Sequence, residues 1–470
     1  MFVGRERELA TLEEAYAAEG FQMVVVYGRR RVGKTTLLTR FAEGKRTLFF
    51  TAQQQSDKNN LADFCREVAR LFGLPAGTAF ATWDDAFSYL ANRALEEPFL
   101  LVFDEFPYAA QANRSIVSKL QVAIDHAFSR TDLCLVLCGS NQGFMESEVL
   151  GTASPLHGRR TAQIRLRPLG YAEAALMVAG SSPEEALAYY ACVGGVPYYL
   201  AQVRPELGLR ENLARLFFSP DGLLYGEPAM LLRQELREPA QYNSILRAIG
   251  SGATRPQQIA DRAGVEASSV PKYLHTLVEL DIVERVVPFG ESQEGSRRGV
   301  YRMADACYDF WYTFVMPVAG DVEEGLGAVV ARELPEASLS TYLGHRFEEV
   351  CRQWMRDRAI AGELPIAATG FGSWWGTNPR TRERDDIDVV AADRFGKRVL
   401  LGECKWRNSF DETEAVGRLR SRDGLIRGYE TAGYYLFSKR QLSAGTRAKV
   451  EADPQLHAVS LEELYEGLLG

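Results

Sequence analysis

FQMVVVYGRRRVGKTTLLTRFA, residues 21–42, is the stretch that decides the fold. FQMVVVYG reads as a short buried strand, and the run from Gly28 onward reads as a loop entering an amphipathic helix. Residues 28–35 match GxxxxGK[ST], and a strand before with a helix after is the setting in which that string binds phosphate. Gly28 and Gly33 allow the backbone to turn so tightly that successive N–H groups converge on phosphate oxygens, helped by the positive end of the following helix. Lys34 would reach the β- and γ-phosphates, and the Thr35 hydroxyl would take a Mg²⁺ position. The expected nucleotide-binding set is Gly28, Arg29, Arg30, Arg31, Val32, Gly33, Lys34, Thr35 and Thr36, with ATP and Mg²⁺ as cofactors.

Downstream, EPFLLVFDEF (97–106) is an apolar strand ending in Asp104 and Glu105. Asp104 would hold Mg²⁺ through water, and Glu105 would orient or deprotonate the attacking water. The acidic pair stands in DEF rather than in the DxxG setting of a GTPase metal aspartate, which favours an ATPase. The next strand, DLCLVLCGSN (132–141), ends in Ser140 and Asn141. Ser140 is there either a sensor between the γ-phosphate and the acidic pair or an ordinary turn residue. In SPLHGRRTAQIRLRPL (154–169), Arg159 and Arg160 precede another strand. One of them, with Arg160 the candidate, either neutralises transition-state charge, in its own subunit or across an interface, or simply faces solvent.

A chain of 470 residues is too long for one core, so two to four domains are expected. With 46% hydrophobic and 25% charged residues and no low-complexity tract, it has the composition of a globular protein. FLLVF and LCLVLCG are far short of a membrane span, and MFVGRERELA carries charge where a signal peptide needs an apolar run. A cytoplasmic location with no membrane partner is the expectation. Seven cysteines without CxxC or Cys/His ligand spacing read as reduced thiols, and Cys134 and Cys138 as core residues of one strand. The five dispersed histidines offer no zinc site. A net charge of −8 argues against a basic coat for non-specific nucleic-acid binding and leaves a local basic groove open.

FVGRERELATLEEAY (2–16), the phosphate loop, LLVFDEF (100–106), the Gly-Ser strand end, SPLHGRR (154–160) and GGVPYYL (194–200) occur in one order. Over roughly residues 1–235 that order resembles the AAA-like ATPases of the STAND group, bacterial and archaeal signal-transducing P-loop switches. The resemblance implies that GGVPYYL lies in a helical lid. Gly194, Gly195 and Pro197 there either approach the nucleotide base or make a tight turn between helices, and Pro197 joins the expected nucleotide set.

After MLLRQELREPAQ (230–241), three short helical segments follow, YNSILRAIGSG, RPQQIADRAG and ASSVPKYLHTLVELD, with turns at Gly252 and Gly264. IVERVVPFG and GVYRMADACYDFW then read as two strands around the polar hairpin ESQEGSRR (291–298). Three helices followed by a hairpin is the winged-helix order. Its recognition helix, 267–280, offers Ser268, Ser269, Lys272 and Tyr273 but few basic groups, and Arg297 and Arg298 sit at the hairpin tip. That favours an intramolecular or protein-binding wing over a DNA reader.

From about residue 335 a third pattern begins. STYLGHRFEEVCRQWMRD (340–357) is an amphipathic helix carrying Glu348. RDDIDVVAAD (384–393) is a strand around Asp388, and KRVLLGECKWR (397–407) is a strand with Glu403 and Lys405 on one face. An acid on one strand and Glu-x-Lys on the next suits metal-dependent phosphodiester cleavage. The carboxylates would hold Mg²⁺ or Mn²⁺ to activate water, and the lysine would offset charge on the phosphorane. Such charges inside apolar strands are costly unless used or paired. Arg380, Arg382 and Arg384 in NPRTRERDD (378–386) would contact phosphate.

This block resembles the PD-(D/E)xK nuclease superfamily, in the version appended to those same ATPases as a domain of unknown function. The resemblance implies Glu348, Asp388 and Glu403 as metal ligands and, with Lys405, as the catalytic set. Asp386 either helps the metal acid or caps its strand, and the proline that usually precedes the first acid is absent. Trp374 and Trp375 either stack on a base or, as expected, pack in the core.

The sequence therefore predicts an α/β chain with a P-loop ATPase core over 1–168, a helical lid over 169–235 and a winged helix over 236–310. A linker over 311–334 and a restriction-endonuclease-like domain over 335–470 complete it. The expected function is an ATP-driven switch gating Mg²⁺-dependent DNA cleavage. Its alternative is a non-cleaving signalling ATPase whose last domain recognises DNA or a protein partner, with a homo-oligomer open in either case. An origin-recognition-type initiator would share the ATPase and winged helix but leave the last block without a role.

Overall fold

The computed structural model describes residues 2–75, 77–236 and 238–469. They divide into two units, one ending at Pro168 and including Val196–Tyr198, the other comprising Leu169–Gly195 and the chain from Tyr199 onward.

The first unit is built on five parallel strands, β1 (Gln22–Tyr27), β2 (Thr47–Thr51), β3 (Leu100–Asp104), β4 (Cys134–Gly139) and β5 (Ala162–Arg165), in the order β2-β3-β4-β1-β5. Their runs are almost wholly apolar because helices cover both faces. Alternation assigns the faces. Met23 and Val25 pack with Phe64, Trp83, Phe87 and Leu120 of three helices, whereas Val24 and Val26 pack with Leu12, Leu37 and Phe41 of helices Glu6–Ala17 and Lys34–Ala42. Cys134 and Cys138 are buried on that second face, as core residues. The order brings the carboxyl ends of β1, β3 and β4 side by side, where open parallel sheets bind ligands.

The second unit opens with helices Tyr171–Met177, Pro183–Val193, Leu209–Phe217 and Glu227–Glu235. Three helices follow, Pro239–Gly250, Pro256–Ala263 and Val270–Glu279, and then the hairpin β6 (Val283–Val286) and β7 (Val300–Met303). Only the start of GVYRMADACYDFW is strand. The Asp305 carboxylate accepts the Tyr308 N–H at 2.8 Å and caps a helix over Ala306–Phe310. Tyr273, expected on the reading face, is buried edge-on against Tyr242, because the apolar side of its helix needs it as filler. The segment 311–334, expected to be a linker, is largely helical instead. Val315, Val322 and Ala331 are buried, and Gly327 lies so close to the Phe218 carbonyl that a Cβ would stand 1.7 Å from it.

The chain ends in a mixed five-stranded sheet behind the 25-residue helix Glu336–Ile360. Its strands are β8 (Gly370–Thr377), β9 (Arg384–Asp393), β10 (Arg398–Lys405), β11 (Glu430–Ser438) and β12 (Leu456–Ser460), in the order β12-β11-β10-β9-β8. β8, β9 and β10 are antiparallel, and β11 and β12 continue parallel to β10. Edge strand β8 is covered by the wing. Phe289 donates its N–H to the Ser373 carbonyl at 2.8 Å, and Arg298 donates to the Trp375 carbonyl at 2.9 Å while pairing with Glu291. Glycines on β8 make the room. A Cβ on Gly370 would stand 3.3 Å from the Phe289 ring, and one on Gly376 only 2.5 Å from the Arg298 guanidinium. The wing is thus an intramolecular cover for an edge that would otherwise offer unpaired backbone.

Candidate functional site

The phosphate loop follows β1, and its shape depends on what surrounds it. Gly28 has φ +150°, and a Cβ there would lie 2.2 Å from the Leu166 carbonyl oxygen, so only glycine lets the loop pass beside β5. Gly33, at φ +93°, heads helix Lys34–Ala42 without a side-chain cap, which leaves the first N–H groups of the helix for an anion. Lys34 is buried, and burial lowers its pKa. Its Nζ donates to the carbonyls of Gly28 at 2.8 Å and Arg29 at 2.9 Å, across the mouth of the loop. Arg30 donates to the Tyr108 hydroxyl at 2.7 Å, and Arg31 lies over the Tyr198 ring. Val32 is buried, and Thr36 is exposed on the helix. The Pro197 ring lies 3.9 Å from where a Cβ on Gly33 would stand.

The two acids meet the loop from β3. The Thr35 hydroxyl donates to Asp104 Oδ2 at 2.9 Å, and Asp104 is almost fully buried. That hydroxyl–carboxylate pair, at the mouth of a loop lined by backbone N–H groups, fits an ATP-bound Mg²⁺, which Thr35 and Asp104 would hold. Glu105 takes a left-handed backbone, φ +50°, of the kind that non-glycine residues hold at functional sites. Its carboxylate accepts from the Ser140 N–H at 3.2 Å and from the Ser140 hydroxyl at 2.8 Å, so the ends of β3 and β4 are hydrogen-bonded together. Arg159 is committed to a bidentate pair with Asp125 at 2.6 Å, whereas Arg160 is exposed just before β5.

Arg5 belongs to this site and had no signal in the sequence. Nearly fully buried, it donates to the Val32 carbonyl at 3.2 Å and the Arg167 carbonyl at 2.7 Å, tying the phosphate loop to the segment after β5.

At the other end of the chain, the register Gly402↔Val389 puts Asp388 beside Glu403. Asp388 Oδ2 accepts the Cys404 N–H at 2.8 Å. Burial first, then the Glu348 and Glu403 charges, pushes its carboxyl well above the ordinary range. Glu348 stands on the long helix, 3.9 Å from Arg352, which itself donates to the Asp388 carbonyl at 2.9 Å. Glu403 shares its strand face with Val399 and Leu401, which pack on Leu419 of helix Glu412–Ser421. Arg422, directly after that helix, is fully buried, and its Nη1 pairs with Glu403 Oε2. Lys405 Nζ sits on the other oxygen at 2.5 Å. Burial works to raise the Glu403 carboxyl, but these two cations outweigh it and hold it below its usual range.

This donor set does not fit a divalent metal as it stands. Both Glu403 oxygens face cations, and among the described residues no group of three His, Cys, Asp or Glu side chains is placed to hold a metal ion. Asp386 pairs with Arg418 at 3.2 Å rather than joining Asp388. Arg380 and Arg384 are exposed, as is Arg382 in a left-handed turn. Trp374 packs against the sheet core. Arg422 was missed because an arginine beside a helix end looks solvent-facing; the one hint was that a glutamate inside β10 needs a partner.

Among the described residues no helix is long and apolar enough to cross a membrane. Residues 2–203 match a family described as an ATPase domain predominantly from Archaea, 244–286 match the IclR helix-turn-helix domain, and 311–416 match a family of archaeal and bacterial proteins of unknown function. An uncharacterized protein of Methanocaldococcus jannaschii is 28% identical over 411 residues, 87% of this chain and 89% of its own length. An uncharacterized ATP-binding protein of the same organism is 46% identical over 46 residues, 10% of this chain and 78% of its own. A Walker-type ATPase of Pyrococcus abyssi superposes with a TM-score of 0.50 at 19% identity, covering 66% of this chain and 96% of that one, a likeness of fold. Strand order, phosphate loop, acidic pair and family match agree on a P-loop ATPase domain over residues 2–203, with a helix-turn-helix match behind it.

Proposed function

We propose that the protein is an ATP-hydrolysing switch that engages DNA through its second unit, with a restriction-endonuclease-like C-terminal domain that recognises rather than cuts. The observation that carries the ATPase part is the pairing at the strand ends, Thr35 on Asp104 and Ser140 on Glu105. Magnesium supplies charge neutralisation on the phosphates when ATP is bound. The chain's own groups do the rest. The loop N–H groups take phosphate oxygens, Lys34 leaves the Gly28 and Arg29 carbonyls to join them, Glu105 takes the proton of the attacking water, and Ser140 holds Glu105. Arg160 is the arginine available to transition-state charge, since Arg159 is held by Asp125.

Pro197, whose ring lies 3.9 Å from where a Cβ on Gly33 would stand, would approach the bound nucleotide.

Helix, three antiparallel strands, helix, and two parallel strands joined by a helix over Ala444–Glu451, with Glu348, Asp388, Glu403 and Lys405 at motif positions, support the nuclease-like fold over 335–470. Exposed Arg380, Arg382, Arg384 and Arg418 beside Asp386 support contact with a phosphate backbone. The double ion pair on Glu403 favours recognition. The second reading, DNA cleavage, is favoured by the closeness of Asp388 to Glu348 and Glu403, which raise its pKa. Nuclease assays on supercoiled, linear and single-stranded DNA, with Mg²⁺ or Mn²⁺ and with or without ATP, decide between them. Cleavage lost in Asp388→Ala would establish the enzyme, and DNA binding without cleavage the recognition module.

A further inference from the structure

We infer that the guanidinium of Arg422, together with Lys405, takes Glu403 out of the ligand set of the C-terminal carboxylate cluster, so that this domain holds no divalent metal there. The inference rests on the nuclease-like reading of residues 335–470 and says which form of it this chain carries.

The Arg422 side chain has no exposure to solvent, and the Glu403 side chain only 4%. One guanidinium reaches three carboxylates. Nη1 pairs with Glu403, Nε donates to Asp385 Oδ1 at 3.1 Å, and Nη2 lies 3.7 Å from Asp386 Oδ1. Nη2 is buried without a hydrogen-bond partner, as is Nη2 of Arg352 beside Glu348 and Asp388. Asp385 is fixed in turn by Asn378, which donates to its Oδ2 at 3.0 Å. The arginine is placed by the fold, because it follows directly on helix Glu412–Ser421 and its N–H closes on the Leu419 carbonyl at 3.3 Å.

A divalent ion needs lone pairs of deprotonated carboxylates facing it. Here Lys405 and Arg422 take both oxygens of Glu403. To admit a metal, Arg422 would have to give up Glu403 and remain charged in a volume closed to water. A lysine could shed its proton there, but a guanidinium cannot. Breaking one partner out of a buried pair is the costliest rearrangement open to the site. The chain thus carries in Arg422 the positive charge that a metal would bring, without its open coordination positions.

The test is Mn²⁺ binding to the full, nucleotide-free chain, read by electron paramagnetic resonance. Wild type should show no Mn²⁺ site that Glu403→Gln removes. Arg422→Met, similar in length and uncharged, should gain roughly tenfold or more in Mn²⁺ affinity, and Glu403→Gln in that background should abolish the gain. Stoichiometric Mn²⁺ on wild type that disappears in Glu403→Gln would overturn the inference. So would an Arg422→Met chain with unchanged circular dichroism and no added Mn²⁺ binding. If Arg422→Met does not fold, the wild-type arm decides alone. Anisotropy of a labelled duplex, measured in parallel, tests DNA recognition separately, since its failure would sink that reading and leave the Mn²⁺ result standing.

Discussion

Replacing Gly28 with alanine should disable nucleotide binding through one displaced atom. The added Cβ would stand 2.2 Å from the Leu166 carbonyl oxygen, and Leu166 is itself held by a 2.7 Å hydrogen bond from its N–H to Tyr27. Restoring a tolerable contact of about 3 Å moves the loop backbone, or the start of the segment after β5, by roughly 0.8 Å. Overpacking of that size costs about 1–3 kcal/mol, and a side chain at φ +150° adds about 1–3 kcal/mol of strain. A misplacement near 1 Å in a positioning group is enough for roughly a 100-fold loss of rate. Gly20 provides the control, because it also has positive φ, +79°, but a Cβ there meets nothing within 4 Å. Gly20→Ala should therefore show strain alone. Fluorescent ATP-analogue titration, steady-state turnover and thermal melting on both variants separate the effects. If Gly28→Ala melts and turns over like Gly20→Ala, the idea that β5 shapes the phosphate loop is wrong.

Glu105→Gln should keep ATP binding and lose roughly 10²–10⁴-fold in turnover, measured by phosphate release; full turnover would remove Glu105 as the base. Arg160→Ala should slow hydrolysis, whereas Arg159→Ala, which breaks only a partly exposed pair with Asp125, should cost at most about 1 kcal/mol of stability and leave turnover unchanged. A reversed pattern would transfer the role to Arg159. Phe289→Ala should loosen the wing from β8 and speed amide exchange over Gly370–Thr377, read by mass spectrometry; unchanged exchange would mean that the remaining wing contacts hold the edge unaided.

The first unit was legible because each of its signals is local. A β-branched run, two glycines five apart, a Lys-Thr pair and an apolar strand ending in two acids each dictate their own backbone and chemistry within ten residues. The same holds for Glu348, Asp388, Glu403 and Lys405, whose placement on helix and strand follows from periodicity. Partnership is another matter. Arg422 is 19 residues from Glu403, and Arg5 is 27 from Val32 and 162 from Arg167. No pattern of adjacent residues encodes those pairs. The weak basic charge of the wing pointed to an intramolecular or protein-binding role, but its seat on β8 involves Gly370 and Gly376, whose purpose appears only when Phe289 and Arg298 lie over them. The segment 311–334 likewise looked like a linker until Val315, Val322 and Ala331 found neighbours.

By itself, then, the sequence determined the strand, glycine loop and helix over residues 22–42 and the apolar strand that ends beside them in Asp104, because loop geometry and strand patterning are set locally. Whether a buried carboxylate is free to hold a metal depends on which distant cation the fold delivers to it. For Glu403 the tertiary structure decided the matter by bringing Arg422, through the end of a helix, onto an oxygen that the strand pattern alone left open.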